Sequence, residues 1–266
     1  MGYGTLDSVL SFERSNVPPS GSLILITDTL SSEGNFLIHH FIANHLKENR
    51  HVVLVGFNQT LSHYQAIGKK LGIDLSQEKS KSLFSFIDGL TSFYCSNDTS
   101  QSTADTDASS ISQSSSPIED NLRKFYVMVK EVVAEHPVGS AVSLVIDDLS
   151  TLLFAGIQVE AVLRFVKNCR LLIEKNGGSL TLLVHGDDIL MHDINYELFV
   201  KSLMYQSEYI LSTRGLSSGY SRDVSGDITI ARGPRNNDTS YRTASWHYKT
   251  LDNNVQFFAK GHSAGI

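Results

Sequence analysis

Four nearly continuous apolar runs constrain this chain more than any other feature. They are Leu23–Thr27, Val52–Phe57, Val142–Ile146 before Asp147-Asp148, and Leu180–His185. A strand with one wet face alternates apolar and polar residues; these runs do not, so both of their faces must be covered. Covering helices are written between them. Phe36, Leu37, Phe41, Ile42 and Leu46 recur at helical spacing within Gly34–Lys47, and Leu61–Leu71 is closed by Gly72. Val159–Lys175 is amphipathic, with Val162, Leu163, Val166, Cys169 and Ile173 inward and Arg164, Lys167 and Lys175 outward. A third strand over Leu83–Asp88, helices from Glu119 to His136 and over Ile194–Tyr205, and a short strand at Tyr209–Leu211 continue the alternation. The expected class is α/β, with a mostly parallel central sheet flanked by helices.

The pattern changes after Arg214. Asp227–Arg232, Ser245–Lys249 and Val255–Ala259 read as an antiparallel C-terminal hairpin extension of one sheet edge. Residues before Pro18-Pro19 read as an irregular lead. Ser96–Ser116 holds nine Ser, three Thr and three Asp and no aromatic residue, so it reads as a disordered Ser-rich loop inserted into one domain spanning residues 1–266. Such a loop is a solvated spacer or a phosphorylated regulatory segment. Hydrophobic residues make up 41% of the chain, enough for a sizeable core.

The formal net charge of −6 excludes bulk attraction to nucleic acid or acidic membranes. From Arg214 onward seven Lys/Arg face four Asp/Glu, so an anionic partner is better sought there. Two cysteines, Cys95 and Cys169, make neither a disulfide scaffold nor a zinc pattern. With no secretory signal and no membrane-spanning run, a reducing compartment is expected: the cytoplasm, with the nucleus as a second location.

Ligands of parallel α/β sheets bind at the carboxyl ends of strands. The loop after the first strand stands where a phosphate loop, Gly-x4-Gly-Lys-Ser/Thr, would cradle phosphate. Aligned on Gly34, it has Thr29 at the first glycine, Asn35 at the lysine and Phe36 at the hydroxyl position, with Glu33 adding negative charge. One required residue in four remains, and Phe36 reads as core. Asp147-Asp148 stands where such enzymes place a magnesium-linked carboxylate, or else caps the next turn. His185 is followed by a segment in which Asp187, Asp188, His192 and Asp193 make a conceivable metal set, but the spacing fits no metal loop and an acidic surface loop reads better. His39, His40 and His45 share one helix without the i, i+4 spacing of paired ligands. Arg222, Arg232, Arg235 and Arg242 are candidates for RNA phosphate contacts, with scattered solvated arginines the alternative. No catalytic residue, cofactor or metal is expected.

Strand, altered phosphate loop, helix, strand ending in Asp and hairpin extension resemble a RecA-like core. Several stretches further resemble the Elongator complex protein 6 family. They are Phe36-Leu-Ile-His-His-Phe, Ser62-His-Tyr with Gly68-Lys-Lys-Leu-Gly, Ile146-Asp-Asp-Leu-Ser, Gly215-Leu-Ser-Ser-Gly-Tyr-Ser-Arg-Asp-Val and Phe257-Phe-Ala-Lys-Gly, in the same order from about Leu23 to the C-terminus. The resemblance implies a non-catalytic subunit that joins Elongator proteins 4 and 5 in a heterohexameric RecA-like ring. That ring binds tRNA and assists the catalytic subcomplex in wobble-uridine carboxymethylation, the route to mcm5U-type nucleosides. The radical chemistry and the iron–sulfur cluster belong to another subunit, and residual nucleotide contact stays open. Side-to-side assembly predicts two covered faces, with outer helix positions less uniformly charged than in a monomer. A RecA-like ATPase or recombinase paralogue with a variant phosphate loop, and an independent RNA-binding module built on the basic C-terminal part, are the rival readings.

Overall fold

A computed structural model of the chain describes residues 3–10, 12, 15–95, 117–137, 139–236 and 243–260. The Ser-rich segment 96–116 and Arg242 lie outside the described residues. The first half runs α1 (Gly4–Leu10), β1 (Leu23–Asp28), α2 (Asn35–Lys47), β2 (His51–Gly56), α3 (Leu61–Lys70), α4 (Leu75–Ser80), β3 (Phe84–Asp88) and α5 (Gly89–Cys95). The second runs α6 (Pro117–Ala134), β4 (Val142–Asp147), α7 (Ser150–Phe154), α8 (Val159–Lys175), β5 (Leu180–His185), α9 (Asp188–Met191) and α10 (Ile194–Gln206). β6 (Tyr209–Arg214), β7 (Gly226–Arg232), β8 (Ala244–Thr250) and β9 (Val255–Ala259) complete it.

All nine strands join one sheet in the order β3-β2-β4-β5-β1-β6-β7-β8-β9. β3 through β6 pair parallel, and β6 to β9 pair antiparallel. This is the expected mostly parallel, helix-flanked sheet with an antiparallel C-terminal extension. β1 and β4 are buried along their whole length, because each strand has helices over both faces. One core layer lies under α6, α8 and α10 and includes Phe125, Phe165, Cys169 and Phe199. The other lies under α1, α2 and α3 and includes Leu6, Phe41, Tyr64 and Tyr248.

Several elements differ from the sequence expectation. The N-terminal lead is not irregular, for α1 buries Leu6 and Leu10 against α2 and β9. Each buried leucine contributes about 1.5–3 kcal/mol, which outweighs the weak intrinsic helicity of a seven-residue segment. β6 extends to Arg214 because β7 pairs with it along its length, a partnership no local pattern announces. Part of the expected acidic loop after His185 coils into α9. The short helices α4, α5 and α7 offered too few turns for a periodic signal.

Candidate functional site

The order β4-β5-β1 brings the carboxyl ends of three strands side by side. Asp28 ends β1, Asp147 ends β4 with Asp148 directly after it, and His185 ends β5. The imidazole of His185 lies between two carboxylates: Nδ1 is 2.7 Å from Asp28 Oδ1 and Nε2 is 2.9 Å from Asp148 Oδ2. Both aspartates are buried, whereas the imidazole is half-buried. Hydrogen bonds to Asp148 and then Asp28 raise the His185 pKa to about 10, so it is an imidazolium at neutral pH. Ser150 Oγ accepts the His185 amide, and Tyr196 Oη donates to His185 O at 2.8 Å and lies 2.9 Å from Ser150 Oγ. Asp148 Oδ1 also accepts the Ser150 amide, which fits the turn-capping role considered for it.

Asp147 is wholly buried and joined to Asp148 by a cis peptide bond. Its Oδ2 accepts from Tyr64 Oη at 2.6 Å, and its Oδ1 has no protein partner. Burial pushes its carboxyl up to about 7. The same burial raises the Tyr64 phenol, with the Asp147 charge adding to it.

The loop after β1 is folded on itself. Thr29 and Ser32 exchange backbone hydrogen bonds, the Leu30 amide donates to Asp187 Oδ1 at 2.9 Å, and the Gly34 amide donates to Asp28 Oδ2 at 2.8 Å. Asp28 thus places a carboxylate at the N-terminus of α2, the position where the helix dipole favours an anion. A Cβ at position 34 would lie 3.1 Å from Asp28 Cβ and from Ile26 Cγ2, so glycine permits this close approach. A phosphate oxygen about 4 Å from the Asp28 carboxylate would meet repulsion of about 4 kcal/mol per charge at an effective dielectric of 20.

The rest of the loop is tied to the antiparallel extension. Ser32 Oγ lies 2.5 Å from Tyr248 Oη, and Thr213 Oγ1 donates to Ser32 O. Phe36 is half-buried rather than fully in the core, with its ring against Tyr3, Tyr248 and Phe257. Asn35 begins α2, and Glu33 is exposed.

The other sequence candidates separate. His185 is brought to Asp28 and Asp148, not to Asp187, which holds Leu30, or to Asp193, which caps α10. Among the described residues no group of three or more His, Cys, Asp or Glu is disposed to hold a metal ion. His40 accepts the Tyr3 amide and approaches Asp7, and His45 lies between Ser143 and Ser179. Burial lowers the pKa of both, so these histidines satisfy the interior. Arg232 stacks over Tyr209 and donates to Leu10 O, while Arg235 lies 3.7 Å from Glu208. Both sit near the start of β6, whereas Arg222 lines a groove near the end of β6, so the three form no single patch.

Sequence reasoning singled out Asp147, Asp148 and His185 separately and missed Asp28, Tyr64 and Tyr196. A signal for Asp28 exists: β1, like β3 and β4, is an apolar strand ending in Asp.

The family described as Elongation complex protein 6 matches residues 3–252. Elongator complex protein 6 of Xenopus laevis is 33% identical over 254 residues, covering 92% of this chain and 93% of the relative. The human protein of that name is 32% identical over 262 residues with the same coverage, and the Danio rerio protein is 28% identical over 270 residues, covering 99% of each. This chain therefore belongs to the Elongation complex protein 6 family.

Proposed function

We propose that this chain is a non-catalytic subunit of an Elongator complex. It joins Elongator proteins 4 and 5 in a heterohexameric RecA-like ring that binds tRNA and supports wobble-uridine carboxymethylation by the catalytic subcomplex, in the cytoplasm and the nucleus. Family membership and the name shared by its relatives support the assembly role. The observation that carries the non-catalytic part is the Asp28 carboxylate at the start of α2, already held by the Gly34 amide and by His185. A degenerate phosphate loop of this kind leaves the anion seat filled from within the fold. The test is size-exclusion chromatography of the full chain with Elongator proteins 4 and 5. Co-elution as one ring-sized species is expected, and separate elution at micromolar concentration would end the proposal.

One observation favours the rival reading of a RecA-like ATPase or recombinase paralogue. Asp147 Oδ1, at the end of β4, has no protein partner. That reading requires tight, magnesium-dependent nucleotide binding by the chain alone.

A further inference from the structure

Beside the strand ends lies a surface the fold leaves uncovered. Leu30 is 90% exposed, Ile189 84%, Ile194 77%, Phe154 55% and Leu198 54%. Ile194 and Leu198 stand one turn apart on the outward side of α10, and Tyr205 continues that side. Phe154 lies parallel to the Tyr196 ring at a centroid distance of 6.0 Å. A cavity of about 350 Å³ opens there between α7 and the start of α10, lined by Phe154, Leu153, Ile157, Leu190 and Tyr196 among others. A monomer gains nothing from exposing aliphatic side chains of this size in one neighbourhood.

Charge defines what fits. Glu160 and Asp193 stand at the cavity, and Asp187, Asp188 and Glu197 stand beside Ile189 and Leu198. Lys201 is already paired with Glu197 at 2.6 Å, Arg214 reaches only to 3.9 Å from Asp188, and Arg222 lines the groove shared by Asp187, Asp188 and Ile189, so these five carboxylates face three cations. The patch is therefore apolar at its centre and acidic at its rim. A second copy docked by the same face would set these carboxylates against their own equivalents, so an isologous dimer is disfavoured.

We infer that the α7–α9–α10 face is a docking surface for a different polypeptide, one that inserts an apolar side chain flanked by Lys or Arg into the Phe154–Leu190 cavity. The inference rests on the subunit reading and assigns a face to it. Ile194 and Leu198 anchor the contact, and Asp187 and Asp188 orient it.

The test uses the full chain with Elongator proteins 4 and 5, measuring dissociation constants by fluorescence titration and amide exchange in the assembled complex. Ile194→Glu and Leu198→Glu should each weaken assembly by about tenfold or more. Asp188→Lys should weaken it by about threefold and flatten its salt dependence. Leu171→Glu, on the outward side of α8, should leave assembly unchanged. Exchange over residues 188–198 should slow in the wild-type complex, which decides the matter even if a variant loses its fold. Wild-type affinity in both glutamate variants with no added protection of residues 188–198 would overturn the inference and leave the subunit reading standing. Equal weakening by Leu171→Glu would overturn it too, as would wild-type self-association abolished by the two glutamates. Failure of the wild type to join its partners would remove the subunit reading, and this inference with it.

Discussion

Two neighbouring regions at the same end of the sheet handle their exposed chemistry in opposite ways. At the ends of β1, β4 and β5, every charge but one atom of Asp147 meets a partner inside the fold: Asp28 and Asp148 hold His185, and Asp28 also holds Gly34. A few residues away, on α7, α9 and α10, large apolar side chains project outward beside carboxylates with few cations to answer them. The inner region resembles an interior that happens to sit where a ligand would bind. The outer one has the composition of a contact surface. The difference agrees with the proposed placing of recognition on the helices around the strand ends rather than at the strand ends themselves.

Substitutions should separate the two regions by their effect on stability. The largest loss is expected from His185→Ala, which leaves the buried carboxylates of Asp28 and Asp148 facing each other without a cation. Urea unfolding at pH 7 should report a loss of about 3 kcal/mol. Tyr64→Phe removes the donor to Asp147 Oδ2 and should cost about 1–3 kcal/mol by the same measurement. Asp147→Asn should cost less, because burial already favours the uncharged carboxyl at this site.

A pH titration of stability should show the inner region from another side. The folded His185 pKa, about 10, lies above its unfolded value of 6.5, so its contribution is complete below about pH 6.5 and is lost as pH rises through 10. Solvent screening of the half-exposed ring reduces this to about 1–2 kcal/mol. Asp147, raised from 3.8 to about 7, acts in the same direction over a lower range, since the folded state holds its proton longer and stability falls from pH 4 to 7. Unfolding curves between pH 6 and 10 should therefore decline in the wild type, and the alkaline part of that decline should be absent in His185→Gln. The smallest effects belong outside: Leu30→Ser and Ile194→Glu should change unfolding free energy by no more than about 0.5 kcal/mol. Outer substitutions as costly as His185→Ala would erase the distinction between the regions.

Much of the fold was legible because buried parallel strands write continuous apolar runs, and β5 and α8 fall on the residues expected for them. What was illegible depends on distant partners. α1 exists because Leu6 and Leu10 have a core to enter and because Asp7 lies beside His40 and Asn44. The site was legible as parts only. Asp147-Asp148 and His185 each stood out at a strand end, but the adjacency of β1 to β5, which unites Asp28 with His185, comes from sheet order and from no motif. His185 stays apart from the acidic segment that follows it for the same reason, because both ring nitrogens turn toward other strands rather than along their own loop.

The claim that the strand ends are closed from within, leaving function to the faces, is tested most directly by calorimetric titration of the isolated full chain with magnesium ATP. The account predicts no binding heat at millimolar nucleotide, for the wild type and for Asp147→Asn alike. Micromolar, magnesium-dependent binding that disappears in Asp147→Asn would contradict it.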